Sequence, residues 1–236
     1  MNVDEVAGAF GDIEFRELET ADDLAVLPEF ERRIWGGEFE MVSVNVLVAT
    51  IREGGMAMGA FAADGQLVGA VYGFATREPD VLHSHYMAVD PSHRGRGLAV
   101  ELKQRQRTWC LDRGITAMRW TFDPLQLGNA HLNLRVLGAV GITYHTNHYG
   151  MLGGINGSLP SDRITVRWDL DPTTPRPDPQ LVVSVLPCTT DDIVNSAETA
   201  VRARLALRAD LVPHLADGWR IVDVERDERH YLLAPP

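Results

Sequence analysis

Apolar and polar positions alternate along the chain in a way that predicts short strands and helices from the start. The segment IEFRELET is typical of a strand, and ADDLAVLPEFERRIWGG is typical of a helix whose interior pattern Pro28 interrupts. The segment VSVNVLVATIREGG is ambiguous by periodicity, but its length and the closing Gly54-Gly55 favour a helix. A β-hairpin is predicted for MAMGAFAADGQLVGAVYGFAT, because Asp64-Gly65 joins two runs of small and β-branched residues.

The alternation continues through the middle of the chain. LHSHYMAVD predicts a strand, and GLAVELKQRQRTWCLDRG predicts a helix with Leu98, Leu102 and Trp109 roughly on one face. ITAMRWTFD predicts a further strand, and NAHLNLRVLG predicts a short helix that Asn129 caps and Gly138 ends. VGITYHTNHYGML and DRITVRWDL predict two more strands, so the pattern as a whole indicates an α/β (α+β) fold.

A proline-rich segment, DPTTPRPDPQ at residues 171–180, divides the pattern. Such a segment is typical of a stiff, extended linker. It separates a main domain, residues 1–170, from a C-terminal αβ extension, residues 181–236, in which one strand, one helix and two short strands are predicted. Because the extension is small for a core of its own, we expect it to pack on the main domain.

Composition and charge exclude several classes of function. The chain has 236 residues, 45% of them hydrophobic, which is enough for a sizeable core. A net charge of −11 argues against general nucleic-acid binding. No apolar run reaches the ~18 residues of a membrane span, and the N-terminal segment lacks a secretory pattern, so we expect a cytoplasmic protein. Cys110 and Cys188 predict neither a disulfide nor a metal site, and both are expected to be buried.

The candidate chemistry lies between the strand that ends at Val89 and the helix that begins near Leu98. The intervening RGRG places glycines at a helix start, where exposed N–H groups and the helix dipole attract anions. A dinucleotide fingerprint does not fit, because Val100 occupies the position of its third glycine. No Walker A pattern is present either.

The run Arg94-Gly95-Arg96-Gly97-Leu98-Ala99, directly after MAVDPSH, resembles the Arg/Gln-x-x-Gly-x-Gly/Ala loop of the GNAT superfamily of acyl-CoA N-acyltransferases. The neighbouring predicted elements follow the order of that family over roughly residues 13–170. LHSHYMAV, LKQRQRTW, WTFDPLQLGNAHLNLRVLGAV and LPSDRITVRW resemble a less-characterised branch with a C-terminal extension. Some members of that branch look connected with N-acylated amino acids, including N-succinyl ones.

The resemblance implies a central mixed, mostly antiparallel sheet that splays between strands 4 and 5 and is flanked by helices. It also implies acetyl-CoA or another short acyl-CoA as co-substrate, with no metal. The loop N–H groups then bind the pyrophosphate, and the strand before the loop holds the pantetheine arm. The implied cofactor-binding residues are Met87, Ala88, Val89, Arg94, Gly95, Arg96, Gly97, Leu98, Ala99 and Asn129.

The catalytic groups are less clear from the residues. His83 and His85 lie two apart on one strand, so they share a face. His85 is a candidate general base or water-positioning residue, or else both are hydrogen-bonded structural histidines. Asp123, before Pro124, is a second candidate base or a turn residue. The tyrosine that many family members use as general acid is replaced by Leu134.

Further polar and aromatic side chains are candidates for a functional role. Tyr144 and Tyr149 could replace the missing general acid. Arg204 and Arg208 lie one helical turn apart and are candidates for binding a substrate carboxylate, or they form a salt-bridged surface. Trp35 lies where family members line the acceptor pocket, or it is buried at a helix end.

The function expected from this combination is an N-acyltransferase. It would transfer an acetyl or short acyl group, succinyl included, to the amine of a small molecule such as an amino acid, by direct attack in a ternary complex. A non-catalytic acyl-CoA-binding sensor and a protein N-acetyltransferase are the alternatives. The expected partner is the small-molecule amine rather than nucleic acid or membrane, and a homodimer remains open.

Overall fold

The computed structural model describes residues 10–36, 41–150, 160–188, 192 and 196–236. The chain forms two compact units, Met1–Met118 and Arg119–Pro236, and the boundary between them falls inside a strand, Ala117–Phe122. Residues 119–170 and the expected extension, residues 181–236, belong to one unit. The domain boundary expected at the proline-rich segment stays a prediction.

In its described part, the first unit contains four paired strands and the helices that cover them. Its elements are β1 (Ile13–Glu17), α1 (Ala21–Leu24), α2 (Val26–Trp35), α3 (Val44–Arg52), β2 (Met56–Ala62), β3 (Leu67–Ala75), β4 (Val81–Val89), a 3₁₀ turn (Pro91–His93) and α4 (Leu98–Leu111). The strands pair in the order β1-β2-β3-β4, and each is antiparallel to its neighbour. The hairpin predicted at Asp64-Gly65 is confirmed, and Gly65 adopts a φ of +82° in the turn.

The segment predicted as one helix with a disturbed interior forms two helices. Thr20 caps α1, and its hydroxyl and the Asp23 carboxylate form a capping box. Pro28 is the third residue of α2, where a backbone N–H has no acceptor within the helix, so the missing donor costs no hydrogen bond. The helix ends at Gly36, which has a φ of +93°.

The two faces of this sheet are covered by different helices. The apolar sides of α1, α2 and α3 pack against one face, and this core contains Leu18, Leu24, Leu27, Phe30, Leu47, Ala57, Phe61, Leu67, Ala70, Tyr72 and Ala88. Helix α4 covers the opposite face. It approaches closely at Gly69, where a Cβ atom would lie 3.0 Å from Leu102 Cδ1.

The only lysine of the chain is buried beneath β4. Lys103 on α4 is 2% exposed, and its Nζ donates to Ser84 Oγ at 2.7 Å and to Gln106 Oε1 at 3.3 Å. Ser84 Oγ in turn donates to Gln106 Oε1 at 2.8 Å. Burial lowers the pKa of Lys103 to about 7, because removing an ammonium group from water disfavours its charged form.

The second unit contains the remaining strands and the long C-terminal helix. Its elements are the main part of β5 (Ala117–Phe122), α5 (Leu127–Ala130), a π-helical turn (His131–Val136), β6 (Val140–His145), β7 (Arg163–Asp169), β8 (Leu181–Ser184), α6 (Ala197–Ala216), β9 (Arg220–Glu225) and β10 (His230–Ala234). The strand order is β5-β7-β6-β9-β10-β8, and β6 pairs antiparallel with both β7 and β9. Strands of the expected extension thus continue the sheet that β6 and β7 begin.

The predicted fold class is confirmed as a mixed α/β fold with a mostly antiparallel sheet flanked by helices. The splay between the fourth and fifth strands stays a prediction. Cys110 and Cys188 are both buried and unbridged, as expected. Within the described ranges, every helix is too short or too polar to span a bilayer.

Replacing Lys103 with methionine is expected to raise the free energy of unfolding, by more at pH 6 than at pH 9. Because the pKa of Lys103 is lowered on folding, the unfolded chain binds more protons between pH 7 and 10.5, and wild-type stability rises with pH there. Apolar replacements of buried ionic groups are often stabilising by about 1–4 kcal/mol. Urea unfolding at the two pH values measures the effect.

Gln104→Met, at an exposed position on the same helix, is the control for helix propensity. A Lys103→Met protein that is less stable than wild type at both pH values would show that the Ser84 and Gln106 contacts outweigh the cost of burying the ammonium group.

Candidate functional site

The loop between β4 and α4 presents a row of backbone donors at the beginning of a helix. The N–H groups of residues 95–100 have no hydrogen-bond partner in the part of the chain that the structure describes. Glu101 is the next residue along, and its N–H donates to the Gly97 carbonyl at 3.0 Å. Gly95 and Gly97 have φ values of +74° and +86°, a region that other residues rarely adopt. These donors are not capped by the described protein and are available to an anion, and the anion-binding role itself stays a prediction.

Local contacts hold this loop in place. The Asp90 carboxylate accepts from the Ser92 N–H at 3.0 Å and from the Ser92 hydroxyl at 2.6 Å, which closes the 3₁₀ turn. Arg94 Nε donates to the Val89 carbonyl at 3.0 Å, and the loop is thereby fastened to the end of β4. Arg96 and both glycines remain exposed.

A cleft of about 480 Å³ lies beside the loop. It is lined by residues 10–13 and 62–64 and by His93, Arg96 and Leu98. The lining combines apolar side chains with the cationic Arg96 and with two carboxylates, Asp12 and Asp64. The loop donors and this cleft thus belong to the same region of the first unit.

Strand β4 carries the three residues expected to hold the pantetheine arm. Met87 pairs with Val71, Ala88 with Ala70, and Val89 lies opposite Gly69, so β3 is the antiparallel neighbour along this stretch. Ala88 and Val89 are buried, and Met87 is half-buried. The assignment concerns backbone groups and stays a prediction.

A bulge in β4 determines which side chains face helices α1–α3. Tyr72 pairs with Tyr86 and Gly73 pairs with Ser84, so His85 is an extra residue opposite β3. Residues on either side of a bulge lose the strict alternation of a strand, and both His85 and Tyr86 here face Tyr72. The ring centroids lie 5.8 Å and 5.9 Å from that of Tyr72.

The two histidines of β4 lie side by side on this face, as expected. The centroids of His83 and His85 are 6.0 Å apart, and Phe74 stacks on His83 at 4.7 Å and contacts His85 at 5.5 Å. His85 is exposed at its outer edge, but the surrounding rings desolvate it and lower the pKa of its imidazole. A lowered pKa keeps the ring neutral at pH 7, with a lone pair that can accept a proton.

A buried carboxyl group on α2 lies close to this cluster and was not predicted. Glu31 is 1% exposed, and its Oε2 accepts from the Val42 N–H at 3.2 Å. Its Oε1 and the Tyr86 hydroxyl are both sealed from solvent without a normal hydrogen bond among the described residues. Burial raises the pKa of Glu31 to about 7, and the Val42 N–H and the Tyr86 hydroxyl lower it by smaller amounts.

The sequence does contain a signal for Glu31. Leu27, Phe30 and Ile34 form the apolar stripe of α2, and Glu31 lies four residues after Leu27 on that same stripe. A charged residue on the buried side of an amphipathic helix requires a partner or a changed pKa. The stripe could therefore have been used to identify Glu31.

In the second unit, Asp123 is engaged by arginine. Arg204 Nη1 and Nη2 donate to Asp123 Oδ1 and Oδ2 at 3.1 Å and 2.8 Å, and the Leu125 N–H donates to Oδ1 at 2.9 Å. Arg204 is 2% exposed. The carboxylate is thus held by a bidentate pair and a turn, and this arrangement favours the structural interpretation of Asp123 over that of a general base.

Arg208 is paired in the same way. Its Nε and Nη2 donate to Asp162 Oδ2 and Oδ1, both at 2.9 Å. Asp162 also accepts from the Tyr144 hydroxyl at 2.6 Å and from the Asn147 N–H at 2.9 Å. Arg204 and Arg208 do share one face of α6, but the Asp123 and Asp162 pairs occupy the groups that were expected to bind a substrate carboxylate.

The short helix before β6 begins earlier than expected. Gln126 occupies the N-cap position, so Asn129 is not the cap; it lies exposed inside α5. Asn133 is buried and accepts from Trp120 Nε1 at 3.2 Å. Leu134, at the position of the usual tyrosine, is fully buried in the core.

The two tyrosines weighed as substitute acids differ in their surroundings. The Tyr144 hydroxyl is committed to Asp162, and burial together with this carboxylate raises the pKa of Tyr144. Tyr149 is 45% exposed, and its hydroxyl lies 3.2 Å from Thr121 Oγ1. Across the described residues, histidine, cysteine and carboxylate side chains nowhere cluster in a way that would hold a metal ion.

Comparison with known proteins finds a family model that matches part of the chain. The model of the acetyltransferase (GNAT) family matches residues 27–139, which include most of α2, the bulged β4 and the loop. Comparison with curated proteins found no match. Among solved structures, the ribosomal-protein-S18-alanine N-acetyltransferase from Escherichia coli is similar, with a TM-score of 0.55 and 18% identity, over 67% of this chain and 94% of that chain.

Two further solved structures have the same fold. A GNAT superfamily phosphinothricin acetyltransferase from Sinorhizobium meliloti, in complex with acetyl-CoA, is 18% identical with a TM-score of 0.54, over 71% of this chain and 94% of that chain. An acetyltransferase of the GNAT family from Streptococcus pneumoniae is 16% identical with a TM-score of 0.53, over 66% of this chain and 97% of that chain. At these identities the likeness establishes the fold and leaves the acceptor open.

Proposed function

We propose that this chain, whose residues 27–139 match the model of the acetyltransferase (GNAT) family, transfers an acetyl or short acyl group from acyl-CoA to the amine of a small molecule, by direct attack in a ternary complex. The observation that carries the proposal is the row of uncapped N–H groups at residues 95–100. Those donors, two glycines without Cβ atoms and the adjoining cleft suit the diphosphate of coenzyme A.

The residues of the loop and of β4 would hold the co-substrate. The N–H groups of residues 95–100 bind the diphosphate, and Arg96, exposed beside them, adds a positive charge. The backbone of Met87, Ala88 and Val89 holds the pantetheine arm. Bound acyl-CoA supplies a thioester, which the acceptor amine attacks.

His85 is the proposed proton acceptor. The amine must lose a proton to attack, and His85 carries a neutral imidazole that reaches solvent on the bulge of β4, two residues before the start of the pantetheine segment at Met87. Phe74 and Tyr72 restrain the ring from two sides. General base catalysis of this kind contributes roughly 10²–10⁴-fold in rate.

Glu31 is the second candidate for the same step. Its pKa of about 7 is matched to neutral pH, and its Oε1 has an open hydrogen-bonding position. Its carboxyl group is sealed beneath Tyr86, however, whereas the His85 ring is directly accessible. Glu31 therefore acts on the site by positioning Tyr86 unless the acceptor displaces that ring.

A general acid is not required by this arrangement. A thiol such as that of cysteine has a pKa of ~8.5, so a leaving thiol can depart as a thiolate without obligatory protonation. The core position of Leu134 is consistent with this scheme, and Tyr144 remains bound to Asp162.

The surroundings of His85 are consistent with a small acceptor. The accessible imidazole contacts the rings of Tyr72, Phe74 and His83, and Trp35 lies 5.5 Å from Tyr86, the next residue along β4. Small-molecule sites are typically recessed, mostly apolar and equipped with few polar groups. A protein acceptor is the alternative, and a screen of small amines against peptides distinguishes the two.

Turnover is the direct test of the proposal. Purified protein with acetyl-CoA or succinyl-CoA and a pool of amino acids is expected to release free thiol above the rate of acyl-CoA hydrolysis, and mass spectrometry should show an N-acylated amino acid. Binding of acyl-CoA without thiol release would instead identify a sensor. Thiol release only in the presence of peptides with free N-termini would identify a protein acetyltransferase.

Gly97→Asp is expected to abolish coenzyme A binding. The substitution places a carboxylate against the diphosphate and a side chain at a φ of +86°. Gly114→Asp is the matched control, because Gly114 has a φ of +74° with open space around it and follows the other end of α4. Calorimetry should show at least a 100-fold loss for the first variant only, and an equal loss for both would implicate helix strain rather than the cradle.

The acidic limb of kcat/KM distinguishes the two candidate bases. A base must be deprotonated, so the rate falls as the pH drops through its pKa. For His85 this limb lies below pH 6.5, whereas for Glu31 it lies at about pH 7. We expect kcat/KM of wild type and of Glu31→Gln to fall only below pH 6.5. His85→Ala should lose about 100-fold in kcat without losing coenzyme A affinity. A fall of kcat/KM at about pH 7 that disappears in Glu31→Gln would assign the base to Glu31.

A further inference from the structure

A buried polar network in the first unit lies between β4 and helix α4. Its three side chains are almost fully enclosed, with Ser84 and Lys103 each 2% exposed and Gln106 0% exposed. The Ser84 hydroxyl accepts from Lys103 Nζ at 2.7 Å and donates to Gln106 Oε1 at 2.8 Å. Lys103 Nζ also donates to Gln106 Oε1 at 3.3 Å. Ser84 is thus the residue of β4 to which both polar side chains of α4 are bonded.

Gly73 on β3 makes room for this network. It pairs with Ser84 across the two strands. A Cβ atom at Gly73 would lie 2.8 Å from the His83 carbonyl oxygen and 3.2 Å from Gln106 Nε2. The same amide nitrogen lies 3.4 Å from Met56 Sδ. The Gln106 side chain therefore packs against the sheet at a position where β3 has no side chain.

The network lies directly beside the bulge of β4. Gly73 pairs with Ser84, and the preceding residue of β3, Tyr72, pairs with Tyr86, so the extra residue follows Ser84 at once. Residues that lie opposite each other in an antiparallel pair project from the same face of the sheet. Ser84 consequently faces α4, whereas His85 lies on the face of Tyr72, with 5.8 Å between the two ring centroids.

A bulge one residue nearer the start of β4 would exchange these two side chains. His85 would then lie opposite Gly73 and would turn toward α4, because a shift of one residue moves a side chain to the other face of a sheet. Ser84 would become the extra residue, and Lys103 and Gln106 would lose its hydroxyl. Gly73 has no side chain that could discriminate between Ser84 and His85, so the choice depends on what α4 presents.

The side chains of α4 favour Ser84 at this position. Burial lowers the pKa of Lys103 to about 7, which shows how far its ammonium group is removed from water and how much it depends on neighbouring oxygen atoms. A buried polar group that loses a partner keeps its desolvation cost, so a satisfied network can select one arrangement of the chain over a neighbouring one. The bonds to the Ser84 hydroxyl therefore stabilise the observed register.

We propose that Ser84, Lys103 and Gln106 are positioning residues that fix the bulge of β4 and so keep His85 on the face where it accepts the proton of the acceptor amine. They act through the backbone of β4 rather than by contact with substrate. The inference rests on the proposed function for the role of His85, whereas the register that places His85 is measured without turnover.

NMR of Ser84→Ala tests the register, because this variant lacks the hydroxyl that both α4 side chains share. Wild type should show nuclear Overhauser effects between the backbone protons of Gly73 and Ser84 and between the rings of His85 and Tyr72. Ser84→Ala should show a second set of signals in which Gly73 lies opposite His85. Its kcat should fall about 10-fold with an unchanged dissociation constant for acetyl-CoA, since a displaced base forfeits part of a contribution of roughly 10²–10⁴-fold.

Three further variants make the test specific. Ser84→Thr keeps the hydroxyl and should retain the single wild-type register and kcat. Lys103→Met removes the 2.7 Å bond and leaves that from Ser84 to Gln106, so its kcat should lie between those of wild type and Ser84→Ala, although its free energy of unfolding is expected to rise. A residue that served stability alone would not lower kcat in a more stable protein. Gln104→Met, at an exposed position of α4, is the matched control and should behave as wild type does.

The outcomes separate this inference from the acyl-transfer proposal. Wild-type register in both Ser84→Ala and Lys103→Met overturns the inference, whatever happens to kcat, because any loss would then not pass through the bulge. A second register in Ser84→Ala supports the inference even if wild type acylates no amine, and in that case only the transfer reaction is removed. If Ser84→Ala does not fold, the register and kcat of Lys103→Met decide between the same outcomes.

Discussion

Six consecutive backbone N–H groups at residues 95–100 need acceptors that the described protein does not provide, and the rest of the site is arranged around that need. The groups converge only because Gly95 and Gly97 adopt left-handed conformations, which redirect the chain from β4 into α4. Hydrogen bonds of Asp90 and Arg94 stabilise the segment between β4 and α4. Helix α4 packs against β3 at Gly69, where the absence of a side chain allows close approach. An anionic ligand at this position satisfies donors that would otherwise depend on water.

The bulge at His85 places two aromatic side chains of β4 on the same face of the strand. Regular alternation would place only one of His85 and Tyr86 on the face covered by α1–α3, but the extra residue places both there. That face then combines an accessible neutral imidazole with a buried carboxyl group, Glu31, whose charge has no cationic neighbour strong enough to lower its pKa. Proton-accepting capacity near pH 7 therefore arises from local desolvation in a ring-rich layer, and not from a charge relay.

Local sequence patterns predicted the helices and strands of this fold better than they predicted which elements contact one another. Periodicity and turn residues predicted the hairpin at Asp64-Gly65 and the helix after the loop, because these depend on neighbours in sequence. Pro28 lies in the first turn of α2, and periodicity could not locate that helix start. The N-cap at Gln126 was missed because asparagine is the stronger capping residue, which favoured Asn129. The composition of the proline-rich segment contains no information about the pairing of β9 with β6, because that pairing is a long-range property.

The same distinction explains the charged residues of the second unit. A spacing of four residues correctly placed Arg204 and Arg208 on one face of α6, but spacing contains no information about which aspartates lie opposite. Asp123 pairs with Arg204 and Asp162 pairs with Arg208. A bidentate pair satisfies both of its members and so has little left for a ligand. Ligand recognition is therefore to be sought at groups without such partners among the described residues, such as the N–H groups of residues 95–100.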